Sequence, residues 1–124
     1  MLILTKYTAK HELEPLLRQF TLDDILEGAR KVLKNLATPI RNPVKLEGYR
    51  FFKVRIGRKA KGRMIVFLVT ENKKVVPVLI RLKKDKIFGM NMSLNNPEVV
   101  RELRKNIDFI LRDIEKKEYQ EFLS

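Results

Sequence analysis

The chain has 124 residues and a mass of 14.7 kDa, which by size is a single domain over residues 1–124. It has no cysteine and one histidine, His11, which excludes disulfides, thiolate metal sites and any His-His pair. The longest apolar runs, 64–69 and 75–80, are six residues each, far short of the roughly 20 that span a membrane. With no secretory pattern at the start of the chain, a cytoplasmic protein without metal or cofactor is the expectation.

The charge is not evenly spread. Of the 27 Lys and Arg residues, 15 lie within 41–86 together with only three of the 15 acids, so this segment carries the whole formal excess of +12. Like charges crowded together repel, and a one-sign segment is costly unless an oppositely charged partner meets it. Nucleic acid is the first candidate and an acidic protein the second. The segment contains no long basic amphipathic helix, which argues against a membrane surface.

In chain order, residues 2–6 read as a short strand and residues 8–20 as a helix that Pro15 interrupts. His11 falls there and is expected to be an ordinary surface residue. Thr21 followed by Leu-Asp-Asp is an N-cap with acids in the first turn. Ile25, Leu26, Ala29, Val32, Leu33 and Leu36 continue it as an amphipathic helix to about residue 36. Residues 37–43 hold two prolines and no periodicity, and are expected to connect. Residues 49–56 alternate, with Phe52, Val54 and Ile56 on one face and Phe51, Lys53 and Arg55 on the other. A loop bounded by Gly57 and Gly62 leads to a strand over 63–69 that is apolar on both faces and therefore central. A turn at 71–74 leads to a strand over 75–82, where Pro77 demands an edge or a bulge. Asn96 and Pro97 then start a helix to about residue 117, striped with Val100, Leu103, Ile107, Ile110, Leu111 and Ile114. Tyr119 and Phe122 are expected to pack beyond it. The class is α+β: a mainly antiparallel sheet with an N-terminal strand and helical pair, a three-strand meander and a C-terminal helix.

An antiparallel meander brings the start of one strand beside the end of the next. Lys53, Arg55, Arg63 and Lys83 or Lys84 are therefore expected to converge on one side. Such a patch fits a phosphodiester backbone, with Phe51 placed to stack on a base. Replacing Glu12 or Glu14, outside the basic segment, is expected to change RNA binding little. Asp85 is expected to pair with Lys83 or Lys84, and Met90 and Met92 to be packing residues.

Three runs carry a resemblance: Lys45-Leu-Glu-Gly-Tyr-Arg-Phe-Phe-Lys-Val-Arg-Ile-Gly57, Gly62-Arg-Met-Ile-Val-Phe67 and Val78-Leu-Ile-Arg-Leu-Lys-Lys84. Over roughly residues 1–90 the chain resembles RelE/ParE-type toxins of type II toxin–antitoxin systems. The RelE branch implies a metal-independent mRNA endonuclease that acts on translated mRNA at the ribosome. The ParE branch implies a DNA gyrase inhibitor, and a non-catalytic RNA-binding domain is the remaining alternative. In either branch an acidic antitoxin neutralises the toxin. By the RelE pattern the resemblance assigns catalytic roles to Lys53, Arg55, Arg63, Lys83 and Lys84. Arg50, Phe51, Arg58, Lys59, Lys61, Arg81, Lys86 and Phe88 are expected to contact RNA. The RelE branch usually offers a tyrosine or histidine just after the last strand. Here Phe88 stands near that place, and phenylalanine can stack but cannot transfer a proton.

Overall fold

The computed structural model describes residues 1–86, 88 and 92–123. Strand β1 (Leu2–Thr5) runs directly into a helical segment whose geometry changes twice. Helix α1 (Lys6–Thr8) gives way to a π turn (Ala9–Leu13) and then to a 3-10 turn (Glu14–Leu16). Pro15 is the cause, because it lacks an N–H and its ring would collide with the carbonyl four residues back. The wider turn, with the Glu14 N–H bonded to the Ala9 carbonyl, removes that conflict.

Helix α2 (Leu22–Leu33) opens on a reciprocal capping box. The Thr21 N–H donates to Asp24 Oδ2 at 2.9 Å and the Asp24 N–H donates to Thr21 Oγ1 at 3.3 Å. It ends three residues before the point the apolar spacing suggests. Asn35 takes a φ of 60°, a conformation that closes helices, and leaves Leu36 exposed.

The meander is present as expected. Strand β3 (Tyr49–Ile56) pairs antiparallel with β4 (Gly62–Val69), and β4 pairs antiparallel with β5 (Lys74–Leu82). Pro77 sits at a bulge: Ile65 faces Leu79 while Val66 faces Pro77, so Val78 is the extra residue. Two further strands appear where the sequence carries no periodic signal. β2 (Thr38–Ile40) pairs with β3, correcting the expected connection, and β6 (Tyr119–Phe122) pairs antiparallel with β1. Segments of three and four residues are too short to show a period. Strand β1 lies parallel to β5, so the six-stranded sheet is mixed, in the order β2-β3-β4-β5-β1-β6.

Helix α3 (Pro97–Glu115) begins at the Asn96 cap, whose Oδ1 accepts the Glu98 N–H at 2.9 Å. The two helices cover opposite faces of the sheet. Ile25, Ala29 and Val32 of α2 join Phe20, Phe52, Val54, Ile56, Met64 and Val66 in one core. Leu103, Ile107 and Ile110 of α3 join Phe51, Ile65, Phe67 and Leu79 in the other. Strand β4 is thus buried on both sides, as its sequence predicts. His11 is exposed and its ring lies tilted against Tyr7, the centroids 4.6 Å apart.

Candidate functional site

Strand register places three arginines in one row. Arg55 stands opposite Arg63, and Arg63 stands opposite Arg81. Cross-strand partners share a face, and alternation puts this row on the same side as Phe51, Ile65 and Leu79, the side that α3 covers. Like charges directly opposite destabilise a sheet, so each guanidinium needs its own solution.

Arg81 is neutralised from within. Its Nη1 donates to Glu12 Oε1 in an ion pair and to the Ile80 carbonyl at 2.9 Å, and its Nη2 lies 3.5 Å from Glu102 Oε1. The Phe88 ring lies 4.8 Å from its guanidinium carbon, and the Phe88 N–H is held by Asp85 Oδ1 at 2.9 Å.

Arg63 is different. It is only 6% exposed, and no carboxylate lies within ion-pair distance among the described residues. Its Nη1 donates to the Ala60 and Gly62 carbonyls at 2.7 and 2.9 Å. Among the described residues no buried side-chain nitrogen or oxygen lacks a partner, and Arg63 lines the adjoining cleft. Burial, and then the neighbouring charge of Arg55, lower its proton affinity.

That cleft has a volume of about 470 Å³ and is lined by Lys31, Leu36, Thr38, Lys53, Val54, Arg55 and Arg63. It exists because β2 is short. β2 begins at Thr38, opposite Lys53, so 54–56 of β3 pair with β4 on one edge and have no strand beside them on the β2 edge among the described residues. Lys31 of α2 partly fills this edge, its Nζ donating to the Arg55 carbonyl at 3.1 Å. Lys53 also lines an adjoining depression with Ile40, Arg41, Met92, Ser93, Leu94 and Asn95.

The expected convergence is therefore only partly realised. Lys53, Arg55 and Arg63 come together. Lys83 and Lys84 do not join them: they line a separate cleft of about 520 Å³ with Gln19, Lys59, Lys61 and Leu82. The reason is register, since Arg81 and not Lys83 is the residue opposite Arg63, and the Lys83 N–H bonds the Lys61 carbonyl at 2.7 Å. Phe51 is corrected outright. It is 2% exposed and packs against Phe67 in the core, so no base can reach it. Arg50 lies on the opposite face over the Phe52 ring. Arg58 and Lys86 are exposed in the hairpin and in the turn after β5. Met92 is buried as expected, and Met90 lies outside the described residues.

Sequence reasoning missed Glu12. Its carboxyl is 3% exposed and receives three donors: the Ile80 N–H at 2.7 Å, Arg81 Nη1, and Asn106 Nδ2 at 3.2 Å. Asn106 in turn donates to the Val78 carbonyl at 2.8 Å and accepts from the Tyr7 hydroxyl at 3.0 Å. No local signal marks an acid of a helical segment as the partner of a residue 69 positions away.

The cleft can bind an anion and stabilise negative charge. Among the described residues its lining has no histidine, tyrosine or carboxylate. Among the described residues no group of three His, Cys, Asp or Glu side chains could hold a metal ion, and no helix is long and apolar enough to cross a membrane. Comparison with family models, with curated proteins and with solved structures finds no match to this chain.

Proposed function

We propose that this chain is a RelE-type toxin that binds the backbone of translated mRNA in the Lys53–Arg55–Arg63 cleft, cleaves it without a metal, and is held inactive by an acidic antitoxin. One observation carries the reading: the Arg63 guanidinium is buried, without a carboxylate partner among the described residues, at the edge of an open cleft beside Arg55. A buried charge is expensive unless it is paired. A phosphate entering the cleft supplies the missing anion, and the planar fork of arginine suits it. The excess of +12 confined to 41–86 and the helix-flanked meander are consistent with this reading.

In the proposed reaction the 2′-oxygen of the RNA bonds to the adjacent phosphorus, the bond from that phosphorus to the 5′-oxygen of the next nucleotide breaks, and the products are a 2′,3′-cyclic phosphate and a 5′-hydroxyl whose proton comes from water. Arg63 and Arg55 stabilise the charge that develops on the phosphoryl oxygens. Lys53 is the candidate proton acceptor. The experiment is induced expression with mapping of mRNA ends on ribosomes. Growth arrest with new mRNA ends that Arg63→Ala abolishes is the expected result. Among the described residues the cleft lining has no histidine, tyrosine or carboxylate, which favours a second reading, RNA binding without cleavage. RNA affinity with no new ends supports that second reading. Growth arrest with neither points to a ParE-type protein target.

A further inference from the structure

The row Arg55–Arg63–Arg81 is electrostatically lopsided. Its β5 end, Arg81, is paired with two acids, while its other two members have none within ion-pair distance among the described residues. Glu12 causes this. It reaches β5 from the N-terminal helical segment, at the point where β1 no longer flanks that strand. Its Oε1 takes both the Ile80 N–H and the Arg81 guanidinium, and its Oε2 takes the Asn106 amide. All three neighbours are donors, the arrangement that favours an ionised carboxylate.

The local charge count is equally plain. Arg81 and Lys105 provide two cations and Glu12 and Glu102 two anions, joined by the contacts Arg81–Glu12, Arg81–Glu102 and Lys105–Glu102. The cluster is neutral by count. Removing the charge of Glu12 leaves one cation in excess, next to Arg63.

We infer that Glu12 is a positioning residue that withdraws Arg81 from the anion site, so that Arg81 serves as a neutral strut beneath Phe88 and only the Arg55–Arg63 end of the row meets phosphate. Arg81 thereby leaves the set of RNA-binding cations in which the basic segment alone would place it. The inference rests on the proposed RNA-binding function and deepens it by defining which cations take part.

The test is the salt dependence of binding of a short single-stranded RNA to the full chain. Each phosphate neutralised on a single strand adds about 0.7 to the slope of log K against log salt. In Glu12→Gln the amide oxygen can still accept the Ile80 N–H, but the charge is gone. The freed Arg81 is expected to steepen the slope by about 0.7. Adding Arg81→Met to Glu12→Gln is expected to restore the slope of the unaltered protein. A purely structural role for Glu12 would change affinity or folding without this paired gain and loss.

A folded Glu12→Gln variant with an unchanged slope overturns the inference. Should Glu12→Gln alone not fold, the double variant still decides. It removes both charges of the pair together, a change that buried pairs tolerate better than loss of one partner. Its slope should equal that of the unaltered protein, and a shallower slope overturns the inference. A flat salt response in the unaltered protein refutes instead the RNA-binding function on which the inference stands.

Discussion

Glu12 Oε1 accepts the Ile80 N–H at 2.7 Å, so a side chain takes the place of a neighbouring strand on β5. Among the described residues strand β1 registers with β5 at Leu2 opposite Val75, and further along that edge side chains bond to the β5 backbone. Thr8 Oγ1 donates to the Pro77 carbonyl at 3.0 Å and Asn106 Nδ2 to the Val78 carbonyl at 2.8 Å. Three side chains thus satisfy the backbone around the bulge, which buried polar groups require.

Removing Glu12 should therefore be severe. Glu12→Ala leaves the Ile80 N–H without its acceptor and deprives Arg81 of its closest counter-ion. The expected loss is about 3–5 kcal/mol, the cost of breaking one side of a buried pair. Equilibrium denaturation by urea measures it. A loss below about 1 kcal/mol, the scale of an exposed pair, would contradict the role given to this residue.

The same carboxyl should shape the response of stability to pH. Burial pushes Glu12 above its ordinary value of 4.5, while Arg81, the Ile80 N–H and Asn106 draw it part of the way back. Between the ordinary value and the raised one, the folded protein binds more protons than the unfolded chain. Stability contributed by this group therefore falls as pH rises through that window and is flat below it. Glu12→Gln should remove this component. Urea midpoints collected from acid to neutral pH for both proteins will show it as a difference in slope.

Phe20 fixes the hairpin that presents Arg63. A Cβ placed on Gly62 would stand 2.2 Å from Phe20 Cζ, and one on Gly57 would stand 2.7 Å from Phe20 Cε1. Gly57 also has a φ of 81°, which side chains strain to adopt. Gly62→Ala should cost about 1–3 kcal/mol through overpacking. Phe20→Leu should relieve part of this in the double variant, because the two sites share one space. A thermodynamic cycle with purely additive losses would show that the ring does not constrain the glycine.

Arg63→Ala tests the cleft itself. Its expected effect is a fall of about a hundred- to a thousand-fold in RNA cleavage, with the fold retained by circular dichroism. Arg63→Lys should recover only part, since lysine lacks the planar fork. Lys53→Ala and Arg55→Ala should act in the same direction. Lys73→Ala, in the turn between β4 and β5, should leave cleavage unchanged. Full toxicity from a folded Lys53→Ala, Arg63→Ala double variant would refute the nuclease mechanism.

The sheet's centre was legible because its periodicity is long. Eight residues of alternation over 49–56 and two apolar faces over 63–69 leave one arrangement that buries both faces, and Pro77 required either an edge or a bulge. Strands β2 and β6 were not legible, since their three and four residues acquire strand form from the neighbour to which they bond. The choice of Lys53, Arg55 and Arg63 as a group followed from alternation and the hairpin. The placing of Lys83 and Lys84 failed because the ladder register sets Arg81 beside Arg63.

The amino-acid sequence by itself determined the α+β class, the meander, and the confinement of the excess charge to 41–86, because period and composition are local properties of the chain. Which of those cations remain open to an anion was decided only by the tertiary structure. Formal charge is counted along the chain, but a charge is neutralised across space. Glu12 reaches Arg81 across a separation of 69 positions, and no carboxylate of the described residues reaches Arg63. Folding therefore divides one row of three arginines into a paired end and an open end.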